Sequence, residues 1–201
     1  MNVRAYHHGD LRAALVSEGM ALLVERAADA VSLREVARRA GVSATAVYRH
    51  FPDKEALMTA LANEGLARLA AAQHAAFEAK GGGVDGFSAT GAAYVRFALA
   101  NPALFRMIFA HHSPGDLTAG DTSDDAMSFL LQNARALAPP GTDPRAFALQ
   151  CWSLAHGLAL LMLDGHVPVD DAAIDRIVDV RAMTGGHVQP GEGFDRPGTC
   201  A

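Results

Sequence analysis

The stretch Ser32–Leu57, SLREVARRAGVSATAVYRHFPDKEAL, constrains the fold more than any other part of the chain. It holds two short helix patterns separated by Gly41, and each pattern opens on a serine that can cap a helix. Glycine tolerates the left-handed backbone of a tight turn, and a small residue just before it lets two helices approach closely. Ala37, Gly41 and Val47 keep this spacing, so we expect a helix-turn-helix.

Helix signals continue along the rest of the chain, and Val and Ile never form the alternating runs that would indicate strands. Half of the residues are hydrophobic and only 6% are aromatic, which favours an all-α protein. We expect about nine helices, arranged as a three-helix head at residues 1–54 and a helical body at 55–183. A polar loop is expected over residues 113–125, and the Gly- and Pro-rich tail 184–201 is expected to be disordered.

Four helix boundaries can be predicted from individual residues. Asp10 is expected to cap the first helix, and Asn101 is expected to cap a helix that begins at Pro102. The helix that begins at Lys54 is expected to reach Lys80. The last helix is expected to run from Asp171 to about Met183.

The composition excludes several classes of protein. No uninterrupted apolar stretch approaches the ~20 residues that a membrane span needs, and the segment MNVRAYHHGDLRAAL lacks the apolar run of a signal peptide. Cys151 and Cys200 form neither a disulfide framework nor a metal-ligand spacing. We therefore expect a reduced, cytoplasmic protein that does not enter membranes.

Charge is unevenly distributed along the chain. Residues 1–54 hold eight Lys and Arg against six Asp and Glu, whereas residues 55–201 hold nine against sixteen, which together give the net charge of −5. Polyanion binding depends on local cationic density rather than on the total. A small basic head on an acidic body has the sign expected of a nucleic-acid binder.

The second helix of the helix-turn-helix carries side chains suited to DNA. Its small residues allow the backbone to approach base edges in a major groove, and Thr45 and Arg49 can hydrogen-bond there. Tyr48, His50 and Lys54 suit contacts with phosphate. The full set of predicted DNA-contacting residues is Ser32, Ser43, Ala44, Thr45, Tyr48, Arg49, His50 and Lys54. The alternative is a plain helical hairpin whose polar face is only solvated.

A longer string distinguishes these two possibilities. The segment REVARRAGVSATAVYRHFPDKEALM, with YHHGDLRAALV before it, resembles the DNA-binding head of the TetR family of transcriptional repressors over residues 6–62. The resemblance implies that Tyr48, His50 and Lys54 hold phosphates and that Thr45 and Arg49 are candidates for base contact. One departure is Ala27, where members of the family usually carry glycine.

The body contains a helix that is apolar on nearly every face, CWSLAHGLALLMLDG, and such a helix needs cover on every side. With the last helix it is expected to form an intermolecular four-helix bundle. The predicted homodimer interface comprises Leu154, Leu158, Leu161, Ile174, Ile177 and Val178.

The segments NPALFRMIF and WSLAHG resemble the C-terminal domain of a TetR subgroup named for its Trp-His-Gly segment. This resemblance implies a pocket for a small-molecule effector, which we expect to be apolar or aromatic. The candidate lining residues are Tyr94, Phe97, Phe105, Phe109, Phe129, Trp152 and His156. The alternative is that these aromatic residues are ordinary core.

No metal site or cofactor is expected. The best histidine cluster joins His111 and His112 to Asp116, but adjacent histidines on a helix point about 100° apart and chelate poorly. The chain has no paired-carboxylate motif, phosphate loop or H-E-x-x-H segment that would indicate an enzyme. We expect a repressor that leaves double-stranded operator DNA when an effector binds. The alternatives are a helical dimer with a mainly ligand-binding or enzymatic role, and an adaptor that has lost DNA binding.

Overall fold

The structure is a computed structural model that describes residues 8–26, 28–111 and 125–184, and within these ranges it is entirely helical. The prediction of an all-α chain with nine helices is confirmed for this part of the molecule. The helices are α1 His8–Glu25, α2 Leu33–Arg39, α3 Ala44–Tyr48, α4 Lys54–Ala79, α5 Gly83–Ala100, α6 Pro102–His111, α7 Asp125–Leu137, α8 Pro144–Leu163 and α9 Asp171–Ile177. Short 3-10 turns span Ala28–Ala30 and Val180–Ala182. Apart from residues 125 and 184, the predicted loop and tail lie outside the described residues.

Three successive helices begin at side chains that cap free backbone N–H groups. The side-chain oxygens of Ser32, Ser43 and Asp53 each accept a hydrogen bond from the backbone N–H three residues further on, at 3.2, 3.2 and 2.8 Å. A helix leaves its first N–H groups without intrahelical partners, so these bonds fix where α2, α3 and α4 start. The sequence predicted all three starts.

Of the two other capping predictions, one was wrong and one was right about the position of the helix start but not about the side chain. Helix α1 begins at His8, so Asp10 lies inside it and not at its start. The side-chain amide of Asn101 donates to the carbonyl of Phe97 at 3.0 Å. The side chain of Asn101 therefore closes the end of α5. Helix α6 nevertheless begins at Pro102 as predicted, and its first backbone bond runs from the N–H of Phe105 to the Asn101 carbonyl at 2.8 Å.

The last helix is shorter than predicted. Helix α9 ends at Ile177, and the backbone bends before a separate 3-10 turn begins at Val180. The Asp179 carboxylate caps that turn by accepting from the backbone N–H of Arg181 at 3.0 Å. Because a capping aspartate favours non-helical backbone at its own position, it ends α9 and starts a new element.

The head does not pack as a separate unit. Its buried core joins α1, α2 and α3 to the first half of α4, and it also contains Leu104, Met107 and Ile108 of α6. Packing therefore crosses the predicted division after residue 54. A second core lies between α5, α6, α8 and α9, and a third joins α5, α7 and α8.

Helix α8 is long enough and apolar enough to cross a membrane, judged by length and composition alone. No such segment was expected from the sequence. Core helices of soluble proteins meet the same two criteria. Here Phe147, Ala155 and Ala159 of α8 are buried against the rest of the body. The outer face of α8 is exposed, and Leu149 and Leu161 keep 47% and 44% of their surface accessible.

Helices α4 and α6 approach each other closely at Gly65. A Cβ placed on Gly65 would lie 2.8–2.9 Å from side-chain carbons of Ile108 and Leu104. Those distances are shorter than van der Waals contact, and both neighbours are buried. Glycine is therefore required here for the two helices to approach as closely as they do.

We predict that Gly65→Val lowers the free energy of unfolding by about 1–3 kcal/mol, since extra methyl groups in a packed core force side chains or helices apart. Urea unfolding followed by circular dichroism measures this change. Ala67→Val is the matched control, because Ala67 lies exposed on the same helix; its cost should not exceed about 0.7 kcal/mol, the usual range of helix propensity. Equal effects of the two substitutions would contradict a close α4–α6 contact.

Candidate nucleic-acid interface and effector pocket

The turn between α2 and α3 has the geometry that the sequence predicted. Gly41 has a φ of +68°, and the backbone N–H of Val42 donates to the carbonyl of Ala37 at 3.0 Å. Ala37 and Val47 are buried, so they anchor the two helices on the core. The turn therefore orients α3 and leaves its other face towards solvent.

Most of the predicted DNA-contacting side chains are exposed around this turn. Ser32, Ser43, Ala44, Thr45, Tyr48, Arg49 and Lys54 are exposed, and His50 is half-buried. Helix α3 is short, but the backbone N–H groups of His50 and Phe51 both donate to the Val47 carbonyl at 2.9 Å and extend it by a turn. The arrangement can present small and hydrogen-bonding side chains to a groove.

Lys54 has a structural contact that the sequence did not reveal. Its Nζ donates to the backbone carbonyl of Asp29 at 2.6 Å, which ties the start of α4 to the 3-10 turn after α1. An ammonium group has three N–H donors. Lys54 can therefore brace the head and still bind an anion.

The other basic residues of the head differ in how far their charge is already paired. Arg38 holds Glu35 through two hydrogen bonds, at 2.8 and 3.1 Å, and Arg39 pairs with Glu25. These guanidinium groups keep the pKa of the Glu35 and Glu25 carboxyls below the ordinary range. The two arginines are therefore partly neutralised at the surface.

Arg34 and Arg49 are exposed, and neither has an ion-pair or hydrogen-bond partner among the described residues. Arg34 lies in the first turn of α2 and was missed by the sequence analysis, which considered only α3 and the start of α4. Its position in the first turn of α2, directly after the predicted cap Ser32, could have identified Arg34 as a further candidate for DNA contact.

The body contains a partly open pocket between its central helices. Leu66, Leu69 and Gln73 of α4 form one wall, and the pocket volume open to the centre of a water molecule is about 60 Å³. The remaining lining residues come from α5 to α8 and from the bend after α9: Phe87, Thr90, Gly91, Tyr94, Phe109, Ala126, Met127, Leu130, Cys151, Trp152, Leu154, Ala155, Val178 and Val180. Three of the predicted lining residues, Tyr94, Phe109 and Trp152, are among them.

The other four predicted lining residues lie elsewhere. Phe105 is fully buried and packs against the ring of Tyr94, with ring centres 5.5 Å apart. His156 also packs against the ring of Tyr94 and does not line the pocket. Phe129 packs against His74 and Phe77, at 3.9 and 5.2 Å between ring centres. Phe97 is half-buried between two cores. None of these four side chains lines the pocket, because each packs against other side chains.

A hydrogen-bonded chain of three aromatic side chains closes one side of the pocket. The indole N–H of Trp152 donates to the Tyr94 hydroxyl at 3.2 Å, and that hydroxyl lies 2.7 Å from Nδ1 of His156. Burial raises the pKa of Tyr94 and lowers the pKa of His156. Both groups are therefore held in their uncharged forms near neutral pH.

The α4 residues in the pocket wall are not aromatic, so a pattern of aromatic residues does not predict them. Leu66, Leu69 and Gln73 are spaced three and four residues apart and so lie on one helix face. That spacing was the signal that could have identified them. Cys151 also lines the pocket, where burial raises the pKa of its thiol to about 11.

Two family models match the chain. Residues 15–61 match the model for bacterial regulatory proteins of the tetR family, and residues 87–182 match a tetracyclin repressor-like C-terminal domain. The chain belongs to the tetR family. This membership supports a DNA-binding transcriptional regulator and confirms the family resemblance, while the Trp-His-Gly subgroup is not confirmed.

Solved structures resemble this tetR-family chain along most of its length. A protein of unknown function from Rhodococcus sp. RHA1 is 31% identical with a TM-score of 0.71, and the match covers 90% of this chain and 99% of that one. A tetR-family transcriptional regulator from Streptomyces coelicolor is 22% identical, with a TM-score of 0.62 and coverage of 91% and 82%. NalD, the secondary repressor of the MexAB-OprM multidrug efflux pump in Pseudomonas aeruginosa, is 20% identical, with a TM-score of 0.56 and coverage of 91% and 98%. The last two likenesses show the fold alone.

The residues predicted at the homodimer interface of this tetR-family chain divide into two groups. Leu158, Ile174 and Val178 are buried within the protomer, at 5%, 0% and 3% exposure. They have almost no surface left to offer a partner, so their inclusion needs correction. Leu161 and Ile177 are exposed, and Leu154 lines the pocket.

The histidine cluster considered for a metal is only partly described. His112 and Asp116 lie outside the described residues, whereas Nδ1 of His111 lies 2.9 Å from the Glu55 carboxylate. The part of the chain that the structure describes holds no group of three metal-ligating residues. His111 instead links the end of α6 to the first turn of α4.

We predict that His156 makes the folded protein less stable in acid. Its folded-state pKa lies below the ordinary value of 6.5 because burial disfavours the charged form. The unfolded chain therefore takes up the proton first, and stability is lost as the pH falls through about 6.5 towards the lowered pKa. Above that window both states are neutral and His156 contributes no pH dependence.

The free energy of unfolding, measured in urea at pH 8 and pH 5.5, should fall more for the wild type than for His156→Gln. His166→Gln is the matched control, because His166 is exposed, and it should keep the wild-type difference between the two pH values. A His156→Gln protein that loses as much stability in acid as the wild type would show that His156 is not the group responsible.

Proposed function

We propose that this chain is a sequence-specific transcriptional repressor that binds operator DNA as a homodimer and is released when a small molecule enters the body. One observation carries the proposal. The Gly41 turn orients α3, the buried Val47 anchors this helix on the core, and Thr45, Tyr48 and Arg49 are left exposed on its outer side. Such a short helix on a basic head suits the major groove.

The exposed residues divide into two roles. Arg49, whose guanidinium group has no partner among the described residues, is the proposed base contact, together with Thr45. Tyr48, His50 and Lys54 are the proposed phosphate contacts, and Arg34 on α2 is added to them. Because α3 offers few long side chains, sequence-dependent DNA shape should contribute to specificity.

A dimer accounts for the exposed face of α8. Leu149, Ser153, Gly157 and Leu161 follow one another at four-residue intervals and so share a face. A Cβ on Gly157 would meet nothing within 4 Å in one protomer, so a partner helix could approach closely there. With Ile177, which is 40% exposed, these residues form the proposed interface. Two heads about 34 Å apart would then read successive major-groove faces.

Effector release is proposed to operate through α6 and α4. Phe109 of α6 lines the pocket, while its neighbours Met107 and Ile108 belong to the head core. His111 at the end of α6 bonds Glu55 in the first turn of α4. A displacement of α6 by a ligand would therefore reach the helix on which the head is mounted, and a small swing changes the spacing between two heads.

A catalytic role is not part of the proposal. Burial shifts the pKa values of Tyr94 and Cys151, which line the pocket, and of His156, which lies behind Tyr94, in the direction that favours the uncharged form of each group. Tetracycline-repressor-like regulators act by binding, and the proposed place of action is the cytoplasm, where operator DNA lies.

The experiment that tests DNA recognition is selection of binding sites from random-sequence DNA by the purified protein. Enrichment of a palindromic sequence, with half-sites one helical turn or a multiple of it apart, is the expected result. A pool that stays random after repeated rounds would contradict the proposal. The selected site then serves as the operator in the next measurement.

We predict that Lys54→Ala and Arg49→Ala weaken operator binding in different ways. Lys54→Ala should reduce the slope of log affinity against log salt by about one and weaken binding to every sequence, as loss of one phosphate contact does. Arg49→Ala should instead change the preference at one base pair by about 1–3 kcal/mol. Fluorescence anisotropy with the selected operator and its single-base variants separates the two effects.

Lys80→Ala is the matched control for charge. Lys80 follows the far end of α4, about 39 Å from Lys54 at 1.5 Å per residue, so its replacement should leave the salt slope unchanged. Because Lys54 also bonds the Asp29 carbonyl, circular dichroism must show that Lys54→Ala remains folded. An unchanged slope in the folded Lys54→Ala protein would remove Lys54 from the phosphate contacts, and a uniform loss for Arg49→Ala would make Arg49 a backbone contact.

A further inference from the structure

We infer that the pocket takes an uncharged apolar molecule of about ten non-hydrogen atoms with one hydrogen-bonding group, and that Gln73 binds that group. The inference rests on the proposed function only in taking this pocket as the effector site. It adds the chemical class of the ligand and the residue that selects it.

The charge of the ligand is set by the pocket walls. Every lining residue in the described part of the chain is neutral, and most of the surface comes from apolar side chains such as Leu66, Leu69, Met127 and Leu130. A charged group moved from water into such surroundings needs a partner of opposite charge to offset its lost hydration. These walls supply none, so they favour a ligand without formal charge.

The size of the ligand is set by the volume. A cavity measured as the space open to the centre of a water molecule needs about 10–15 Å³ for each water. The 60 Å³ of this pocket therefore correspond to about five waters. Five waters occupy about 150 Å³ of liquid, and a cavity of about that volume holds one benzene ring. The pocket is partly open, so a bicyclic aromatic molecule with about ten non-hydrogen atoms can place one ring inside and extend the other towards the opening.

Most polar groups of the pocket are already bonded to the protein. The Thr90 hydroxyl donates to the Phe87 carbonyl at 2.7 Å. The Trp152 indole N–H is bonded to Tyr94, and the Tyr94 hydroxyl also reaches His156. A ligand gains little from groups whose hydrogen bonds it must first break.

Gln73 differs from these residues. Its side-chain amide makes no hydrogen bond with any described residue, although it is half-buried at an apolar wall. An amide offers two donors and an acceptor, and burying it under a ligand without a partner would cost free energy. A ligand hydroxyl, carbonyl or amine that meets Gln73 avoids that cost and gains a bond.

The position of Gln73 also places ligand recognition on the helix that carries the head. Gln73 follows Leu66 and Leu69 on one face of α4, and α4 runs without interruption from Lys54. The distance from Lys54 to Gln73 along this helix is about 28 Å at 1.5 Å per residue. The residue that selects the ligand is thus part of the same rigid element as the start of the DNA-binding face.

Equilibrium dialysis at pH 7 with naphthalene, 1-naphthol and 1-naphthoate tests the inference, because the three share a ten-carbon ring system and differ in hydrogen bonding and charge. We expect 1-naphthol to bind the wild type about fivefold more tightly than naphthalene, and 1-naphthoate to bind at least about thirtyfold more weakly than 1-naphthol. Gln73→Leu should abolish the advantage of 1-naphthol while naphthalene binds as well as before. Gln132→Leu, at an exposed position on α7, is the matched control and should change none of the three affinities.

Three results would overturn the inference. Binding of 1-naphthoate as tight as that of 1-naphthol would exclude an uncharged ligand class, and a 1-naphthol advantage that survives Gln73→Leu would exclude Gln73 as its partner. Absence of binding by all three compounds would overturn the assignment of size and polarity. Release of the protein from the selected operator is measured in a separate experiment. If 1-naphthol binds in a Gln73-dependent way but does not release the DNA, the ligand class is supported and the release step of the proposed function is contradicted.

Discussion

The close contact between α4 and α6 at Gly65 is the constraint on which the arrangement of the two functional regions depends. No side chain separates the helices there, so Ile108 and Leu104 pack directly against the α4 backbone. This contact brings α6 into the core of the head while the same helix, one residue further on, places Phe109 at the pocket. A wider separation would leave the head core open on one side. It would also disconnect the pocket from the helix-turn-helix.

The shared core gives a physical route for regulation that does not require a flexible joint between two domains. Packed interiors do not deform continuously, so a ligand that moves α6 must move its contacts with α4 as well. The His111–Glu55 pair holds the C-terminal end of α6 to the first turn of α4, and the Lys54–Asp29 bond holds that turn to the 3-10 turn after α1. A ligand bound to Gln73 would contact α4 as well, near the end of that helix opposite to Lys54. The pocket and the DNA-binding face are thus two ends of one packed unit.

The sequence predicted the head well because its signals are local. Three capping side chains, the Gly41 turn and the exposed residues of α3 depend on neighbours within a few positions, and all of them lie where they were expected. The pocket was predicted less well, because lining it depends on which faces of distant helices meet. Phe105 satisfied an aromatic criterion yet lies in the core, and Phe129 packs against His74 and Phe77 of α4. Gln73 could not be identified before α4 was placed against α5 and α7. Ile174 was wrongly predicted to lie at the dimer interface, although it is buried within the protomer. An apolar stripe on a helix does not tell whether a partner subunit or the chain's own core covers that stripe.

The measurement that tests the central claim most directly is a gel-shift titration of the purified protein on the DNA that flanks its own gene, with excess nonspecific competitor. The account predicts a retarded band that resists the competitor and whose protein mass fits one or two dimers. A protein that shifts all DNA equally and loses every band to the competitor, on this DNA and on sites selected from random sequence, would contradict a sequence-specific regulator.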